Sequence, residues 1–138
     1  MTLDEEQVKT FSAICEALSD ESDTLKREIL THTGNRWSLG VIYILGTQGT
    51  LRHAELAKAL PGVTQRMLTR TLRQLERDGL IERYDHQLKK PHPRVDYSLT
   101  ELGKGMLLNM LPLWHWIIEN QAGFQHSRQA YANGENPR

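Results

Sequence analysis

TQRMLTRTLRQLERDGL, residues Thr64 to Leu80, carries arginines at 66, 70, 73 and 77 and leucines at 68, 72 and 75. With Leu68 at zero and about 100° per residue, Leu72 falls at ~40° and Leu75 at ~340°. By the same rule Arg66 falls at ~160°, Arg70 at ~200°, Arg73 at ~140° and Arg77 at ~180°. The leucines and the arginines form opposite stripes of one helix. One stripe can pack on a core while the other holds four cations in solvent. Only Glu76 and Asp78 are close enough in sequence to neutralise them. A solvated helix face and a polyanion-binding face both fit this pattern, and the flanking sequence decides between them.

Upstream, Thr64 suits an N-cap, because its hydroxyl can accept a hydrogen bond from a free backbone N–H. Val63 and Leu68 are spaced as a hydrophobic staple. Pro61-Gly62-Val63 breaks the chain after RHAELAKAL, a short helix with Leu56, Ala57 and Leu60 on one side. Downstream, Gly79 ends the arginine helix and the period changes to two. LIERY is strand-like, and Val95, Tyr97 and Leu99 alternate with Arg94, Asp96 and Ser98. DHQLKKPHP lies between the strands, and its prolines make it a protruding loop that carries Lys89 and Lys90. Helix, tight turn, basic helix and basic ribbon form the winged helix-turn-helix order. In that order the second helix enters the DNA major groove and phosphate contacts flank it. Arginine suits both tasks, since it binds guanine bidentately and phosphate electrostatically. The candidate DNA-contacting residues are Arg36, Arg52, Thr64, Gln65, Arg66, Thr69, Arg70, Arg73, Lys89, Lys90 and Arg94.

The N-terminal region is helical by the same periodicity. Val8, Phe11, Cys15 and Leu18 step by three and four along LDEEQVKTFSAICEALSD. Ser19 to Asp23 reads as a polar break, and LKREILTHTG as a helix stopped at Gly34. RWSLGVIYILGTQG is apolar nearly all round, hence a buried helix, ended by Gly46 and Gly49. Thr100 caps a last long helix, ELGKGMLLNMLPLWHWIIENQ, in which Pro112 is expected to introduce a kink. From Phe124 on, the chain is polar and expected to be loose.

The 138 residues suit one domain able to bury a core without staples. Net charge is zero but segregated. Residues 1–35 set three Lys/Arg against eight acids, residues 36–94 eleven against five, and residues 95–138 three against four. The basic middle is the informative quantity. One cysteine excludes an intrachain disulfide. No apolar run reaches the ~18 residues of a membrane span, and the acidic N-terminus lacks a signal-peptide pattern, so a cytoplasmic protein is expected.

GNRWSLGVIYILGTQGTLRHAELAKALPGVTQRMLTRTLRQLERDGLIER, followed by PHPRVDYSLTELG, resembles the HxlR-type winged-helix transcriptional regulators. The carrying pieces are Gly34-Asn35-Arg36-Trp37, Arg52 with Glu55-Leu56, Pro61-Gly62-Val63-Thr64, Leu68-Thr69, Leu72-Arg73, Leu75-Glu76, Asp78-Gly79-Leu80, Arg83, Pro93-Arg94-Val95, Tyr97-Ser98-Leu99-Thr100 and Leu102-Gly103. The resemblance covers roughly residues 24 to 117. The resemblance implies a bacterial homodimer that binds short inverted repeats near promoters. It implies a dimer interface of first and last helices, for which Val8, Phe11, Cys15, Leu18, Leu111, Trp114 and Ile118 are the candidates. It also implies that an effector, where one acts, is a small reactive molecule. Three positions depart from the family. Thr24 stands where members often have a cysteine, His53 where an aromatic is usual, and Pro112 lies inside the last helix.

The expected fold is therefore mainly α with a small β-hairpin wing. Residues 1–123 form one winged helix-turn-helix domain: 1–19 an N-terminal dimerisation helix, 51–79 the helix-turn-helix, 80–99 the wing, 100–123 a C-terminal dimerisation helix. Residues 124–138 form a flexible polar tail. Cys15 reads either as a small buried hydrophobe on its stripe or as a redox thiol near a dimer seam. Trp116 reads as core or as seam. The histidines lack ligand spacing, so neither metal nor cofactor is expected. No phosphate loop, nucleophile elbow or acid pair suggests an enzyme. Two other functions compete with DNA binding: a winged-helix module for protein–protein interaction, and a thiol switch through Cys15.

Overall fold

The computed structural model describes residues 1–87 and 93–134. Helix α1 (Glu5–Ala17) is capped by Asp4, whose carboxylate accepts from Gln7 N–H at 2.8 Å. Helix α2 (Asp20–Leu30) follows, then a 3-10 turn (Thr31–Gly34). The expected break at residues 19–23 shrinks to Ser19 alone. Its hydroxyl caps Ser22 N–H at 3.1 Å, and Asp20, Glu21 and Asp23 occupy the first turn, where the helix dipole favours acids. Those residues are polar because they start a helix.

Helix α3 (Arg36–Gln48) is the buried one. Asn35 caps it by accepting from Trp37 and Ser38 N–H. It runs through Gly46 and stops at Gly49, whose φ of +85° suits glycine. Gly46 is required for another reason. A Cβ there would lie 2.5 Å from the Leu107 side chain, so glycine permits the last long helix to approach.

Strand β1 (Leu51–Arg52) leads into α4 (His53–Ala59), and a turn through Gly62 leads to α5 (Gln65–Arg77). Strands β2 (Ile81–Asp85) and β3 (Val95–Leu99) pair antiparallel with Ile81 opposite Leu99 and Asp85 opposite Val95. The sheet has three strands in the order β1-β3-β2, with Leu51 opposite Tyr97 and Arg52 opposite Asp96. Two residues are too few to display a period of two, so β1 left no signal in the sequence. Helix α6 (Glu101–Glu119) starts at Thr100, whose hydroxyl accepts from Gly103 N–H and donates to Gly79 C=O at 2.6 Å. It continues through Pro112 as one helix.

Residues 121–132 form a further helix, α7 (Gln121–Ala132), which corrects the expected loose tail and ends the preceding helix at Glu119 rather than at 123. No glycine or proline stands between Gly123 and Gly134 to stop it. The Phe124 ring also meets Trp116 edge-on at 5.5 Å, which anchors the first turn.

The core joins α3 (Val41, Ile42, Ile44, Leu45), α4 (Leu56), Leu60, α5 (Leu68, Leu72, Leu75), Leu80, Ile81 and Met110 of α6. Val63 and Trp114 pack against it while staying half-buried. Helix α1 contributes nothing: Val8, Phe11, Ile14 and Cys15 are exposed in the single chain and Leu18 is half-buried. Cys15 is thus not the buried small hydrophobe that its stripe suggested, because α1 buries no residue against the body of the chain. Trp116 is 51% exposed and so is not core; Leu111, Ile117 and Ile118 are exposed beside it.

Leu72 is 2% exposed on the inward stripe of α5. Leu72→Ala should lower stability by about 2–5 kcal/mol, through lost transfer energy plus a cavity. Urea unfolding checks this, and a variant as stable as the parent would disprove the assigned face.

Candidate nucleic-acid interface

Helix α5 presents the site. Its N-cap, Thr64, accepts from Met67 N–H at 3.1 Å, so the first turn has a fixed start. Leu68, Thr71, Leu72 and Leu75 are buried beneath it. That burial fixes rotation about the helix axis and turns Gln65, Arg66, Arg70 and Arg73 outward, where all four are exposed. Thr64, Gln65, Arg66, Thr69, Arg70, Arg73 and Gln74 line one open groove along the helix. Among the described residues, Arg66, Arg70 and Arg73 form no ion pair.

Arg77, the fourth of the stripe, is diverted. Its Nε donates to Asp78 at 3.1 Å. Asp78 also meets Nε2 of His32 at 2.6 Å, and Nδ1 of His32 lies 3.4 Å from Ser38 Oγ. His32 is 4% exposed. This chain of contacts ties the end of α5 to the 3-10 turn and the start of α3. Burial pushes the Asp78 carboxyl up, but bonds from Arg77 and His32 outweigh it and hold it below the usual carboxylate range. His32 gives no local signal in the sequence, because its partner lies 46 residues away.

Thr69 is half-buried, and its hydroxyl is 3.3 Å from Nε2 of His53 at the start of α4. The first helix of the motif thereby touches the second at a groove-lining residue. His53 is the residue that makes this contact.

The wing provides a second surface, lined by Thr50, Arg52, Ala54, Glu55, Arg94 and Asp96. Arg52 and Arg94 both face Asp96, with Nε at 3.9 and 3.5 Å from Oδ1. His86 Nε2 approaches Oδ2 of the same carboxylate at 2.8 Å. His86 foremost, then Arg94, holds the Asp96 carboxyl below its ordinary range against the opposing effect of burial. Asp96 and His86 were not among the expected site residues, although alternation along β3 already put Asp96 on the face of Arg94. Arg36 stands apart. Its guanidinium lies over the Trp37 ring, 4.8 Å from the centroid, and it lines neither surface. Lys89 and Lys90 fall outside the described residues. Among the described residues no cluster of three His, Cys, Asp or Glu is placed to hold a metal, and no helix is long and apolar enough to cross a membrane.

Residues 32–123 match the family model of the HxlR-like helix-turn-helix. The chain is 36% identical over 94 residues to the HTH-type transcriptional regulator YtfH of Escherichia coli K12, covering 68% of this chain and 72% of that one. It is 37% identical over 102 residues to the HTH-type regulator YkvN of Bacillus subtilis 168, covering 74% and 79%. Among solved structures, the transcriptional regulator ytfH of Salmonella typhimurium aligns with a TM-score of 0.62 at 34% identity, over 75% of this chain and 90% of that one. The redox regulator HypR in its reduced form aligns with a TM-score of 0.60 at 33% identity, over 71% and 94%.

The lowered pKa of Asp78 has a stability consequence. A depressed carboxylate stabilises the fold above its unfolded value, ordinarily about 3.9, and the contribution is lost as pH falls through the folded value. Asp78→Asn should therefore unfold more easily at neutral pH and show a flatter loss of stability below about pH 4. Denaturant titrations at several pH values check this. An acid limb as steep as the parent's would remove Asp78 as its source.

Proposed function

The chain belongs to the HxlR-like helix-turn-helix family of transcriptional regulators, and on that premise we propose that it binds an inverted-repeat DNA operator as a homodimer in the cytoplasm. The observation that carries this reading is the exposed stripe Arg66, Arg70 and Arg73, without an ion pair among the described residues, on the face of α5 opposite its buried leucines. A recognition helix points its N-terminal residues at base edges. Gln65, Arg66, Thr69 and Arg70 occupy those first turns and read bases. Arg73 lies about 10 Å further along the axis than Arg66, at ~1.5 Å per residue. It meets the backbone, since the major groove is only about 8.5 Å deep. Arg77 is held by Asp78 and contributes little. Arg52 and Arg94 serve phosphates, joined by Lys89 and Lys90 of the wing loop. A winged-helix module for protein partners would not need three uncompensated arginines on one helix face.

The dimer reading rests on apolar side chains that the single chain leaves in solvent. Phe11 is 58% exposed on α1, and Leu111, Trp116 and Ile118 are exposed on α6. A second copy that covers them with its own α1 and α6 would bring two α5 helices to one face, about 34–36 Å apart if the half-sites are one DNA turn apart. Val8, Cys15, Leu18 and Trp114 would belong to the same seam.

A second reading adds thiol control. Cys15 is exposed on the free helix α1, and HypR is named a redox regulator. Oxidation at Cys15 would then alter the dimer. If oxidant releases DNA from the parent and equally from Cys15→Ser, this reading fails.

Arg66→Ala or Arg70→Ala should cost about 1–3 kcal/mol of operator affinity and relax preference at one base position per half-site. Arg94→Ala should weaken all duplexes alike and reduce the salt slope by about one unit. Binding of each variant to single-base operator variants at several salt concentrations checks both. Uniform losses for Arg66→Ala and Arg70→Ala would make α5 a phosphate clamp instead.

Sedimentation should find the intact protein dimeric at micromolar concentration, and removal of residues 1–18 should yield a weakly binding monomer or aggregate. Footprints should show two symmetric protected patches. A stable monomer, or full affinity for a single half-site, would reject the dimeric operator.

A further inference from the structure

We propose that Asp96 is a positioning residue for DNA discrimination: its carboxylate gathers Arg52 and Arg94 into one preformed phosphate clamp at the base of the wing. The inference rests on the DNA-binding reading above and adds to it a residue and a mechanism.

Asp96 lies on the central strand of the sheet. Its cross-strand neighbours are Arg52 on β1 and Tyr84 on β2. Residues directly opposite on neighbouring strands share a face, so Arg52 and Asp96 project the same way. Arg94, two residues before Asp96, projects with them by alternation. Arg52 of β1 and Arg94, just before β3, thus stand beside one carboxylate. His86 closes the opposite side of it, and the His86 N–H donates to Arg94 C=O at 2.9 Å, which pins the start of the loop. Tyr84 meets the His86 ring edge-on at 4.7 Å. Glu55, the other acid of this surface, is engaged: it accepts from Arg52 N–H at 3.0 Å, at the start of α4.

An acid on a DNA-facing surface repels phosphate, so its presence calls for an offsetting gain. The Asp96 side chain is only 15% exposed, while those of Arg52 and Arg94 are 53% and 46% exposed. The carboxylate sits below and the guanidinium edges remain accessible. Without it, two adjacent cations repel and each long side chain samples its rotamers independently. With it, both are held at one place on the backbone of a bound duplex. Phosphate contacts fix register and orientation. A preformed clamp therefore governs how well α5 is aimed at base edges, beyond how strongly the protein adheres to any duplex.

The test uses the full chain and two probes: the duplex that the parent selects from a random pool, and a scrambled duplex of the same composition. Asp96→Asn keeps the size of the side chain and removes its charge. It should lose about tenfold in affinity for the selected duplex. Its affinity for the scrambled duplex at low salt should hold or rise, because a negative charge has left the surface. Asp96→Glu should recover part of the discrimination. In an Arg52→Ala, Arg94→Ala background, Asp96→Asn should change the ratio of the two affinities no further, since the residue acts through those arginines. An unchanged ratio in Asp96→Asn would overturn the proposal. So would an equal loss on both duplexes together with a lowered melting temperature, which would mark a purely structural acid. So would an undiminished effect in the doubly substituted background. A parent that selects no duplex at all overturns the DNA-binding reading first, and this inference with it.

Discussion

Helix α5 must satisfy two environments, and only one rotation about its axis does so. Leu68, Leu72 and Leu75 are enclosed by the core, while Arg66, Arg70 and Arg73 stand in solvent. A turn of one residue step, about 100°, would carry arginines toward the core. An unpaired charge in such a place is far costlier than an exposed leucine. The apolar contacts thus act as a keyway, and the direction of every arginine follows from them. The keyway is supplied chiefly by α3, which packs on α4, α5, α6 and β3. Its Val41 and Ile42 are fully buried. Gly46 on the same helix lets α6 close the far side.

Rotation alone would not fix where α5 begins and ends. Thr64 sets the start by bonding Met67 N–H, and the Asp78 bond to buried His32 anchors the end to a different part of the chain. Gly79, at φ +75°, then turns the chain into β2. The hydroxyl of Thr100 bonds the Gly79 carbonyl, so the start of α6 grips the exit of α5. The ends of the recognition helix are held by hydrogen bonds within the fold, which is the condition for a precise recognition surface.

Much of this was legible because it is local. The stripes of α5, the caps Thr64 and Thr100 and the closing Gly79 each declare themselves within a few residues. The missing parts depend on contacts distant in sequence or on segments too short to show a period. Strand β1 exists because Leu51 and Arg52 find Tyr97 and Asp96. Helix α7 was obscured by polar composition, and its anchor, Phe124 on Trp116, joins two segments that read separately as helix and tail. His32 looked idle because Asp78 is 46 residues away. Cys15 shows a different limit. Periodicity finds a stripe, but it does not say whether the stripe meets its own chain or another surface, and here its own chain leaves it bare.

The neutral total charge of the chain conceals how its acids sort its arginines into classes. Asp78 pairs Arg77 at close range, so this arginine of the stripe already has a partner although its side chain stays exposed. Asp96 takes Arg52 and Arg94 at longer range and leaves them accessible. No acid among the described residues takes Arg66, Arg70 or Arg73. The gradation follows function as proposed. A base-reading arginine must be uncommitted until it meets a guanine, because a bidentate pair uses both of its donors. A phosphate-holding arginine can keep a partner, because phosphate attracts it as a charge. An arginine that serves the fold is best fully paired. The acidic first 35 residues balance the basic middle of the chain, so the positive surface remains local and directional rather than general.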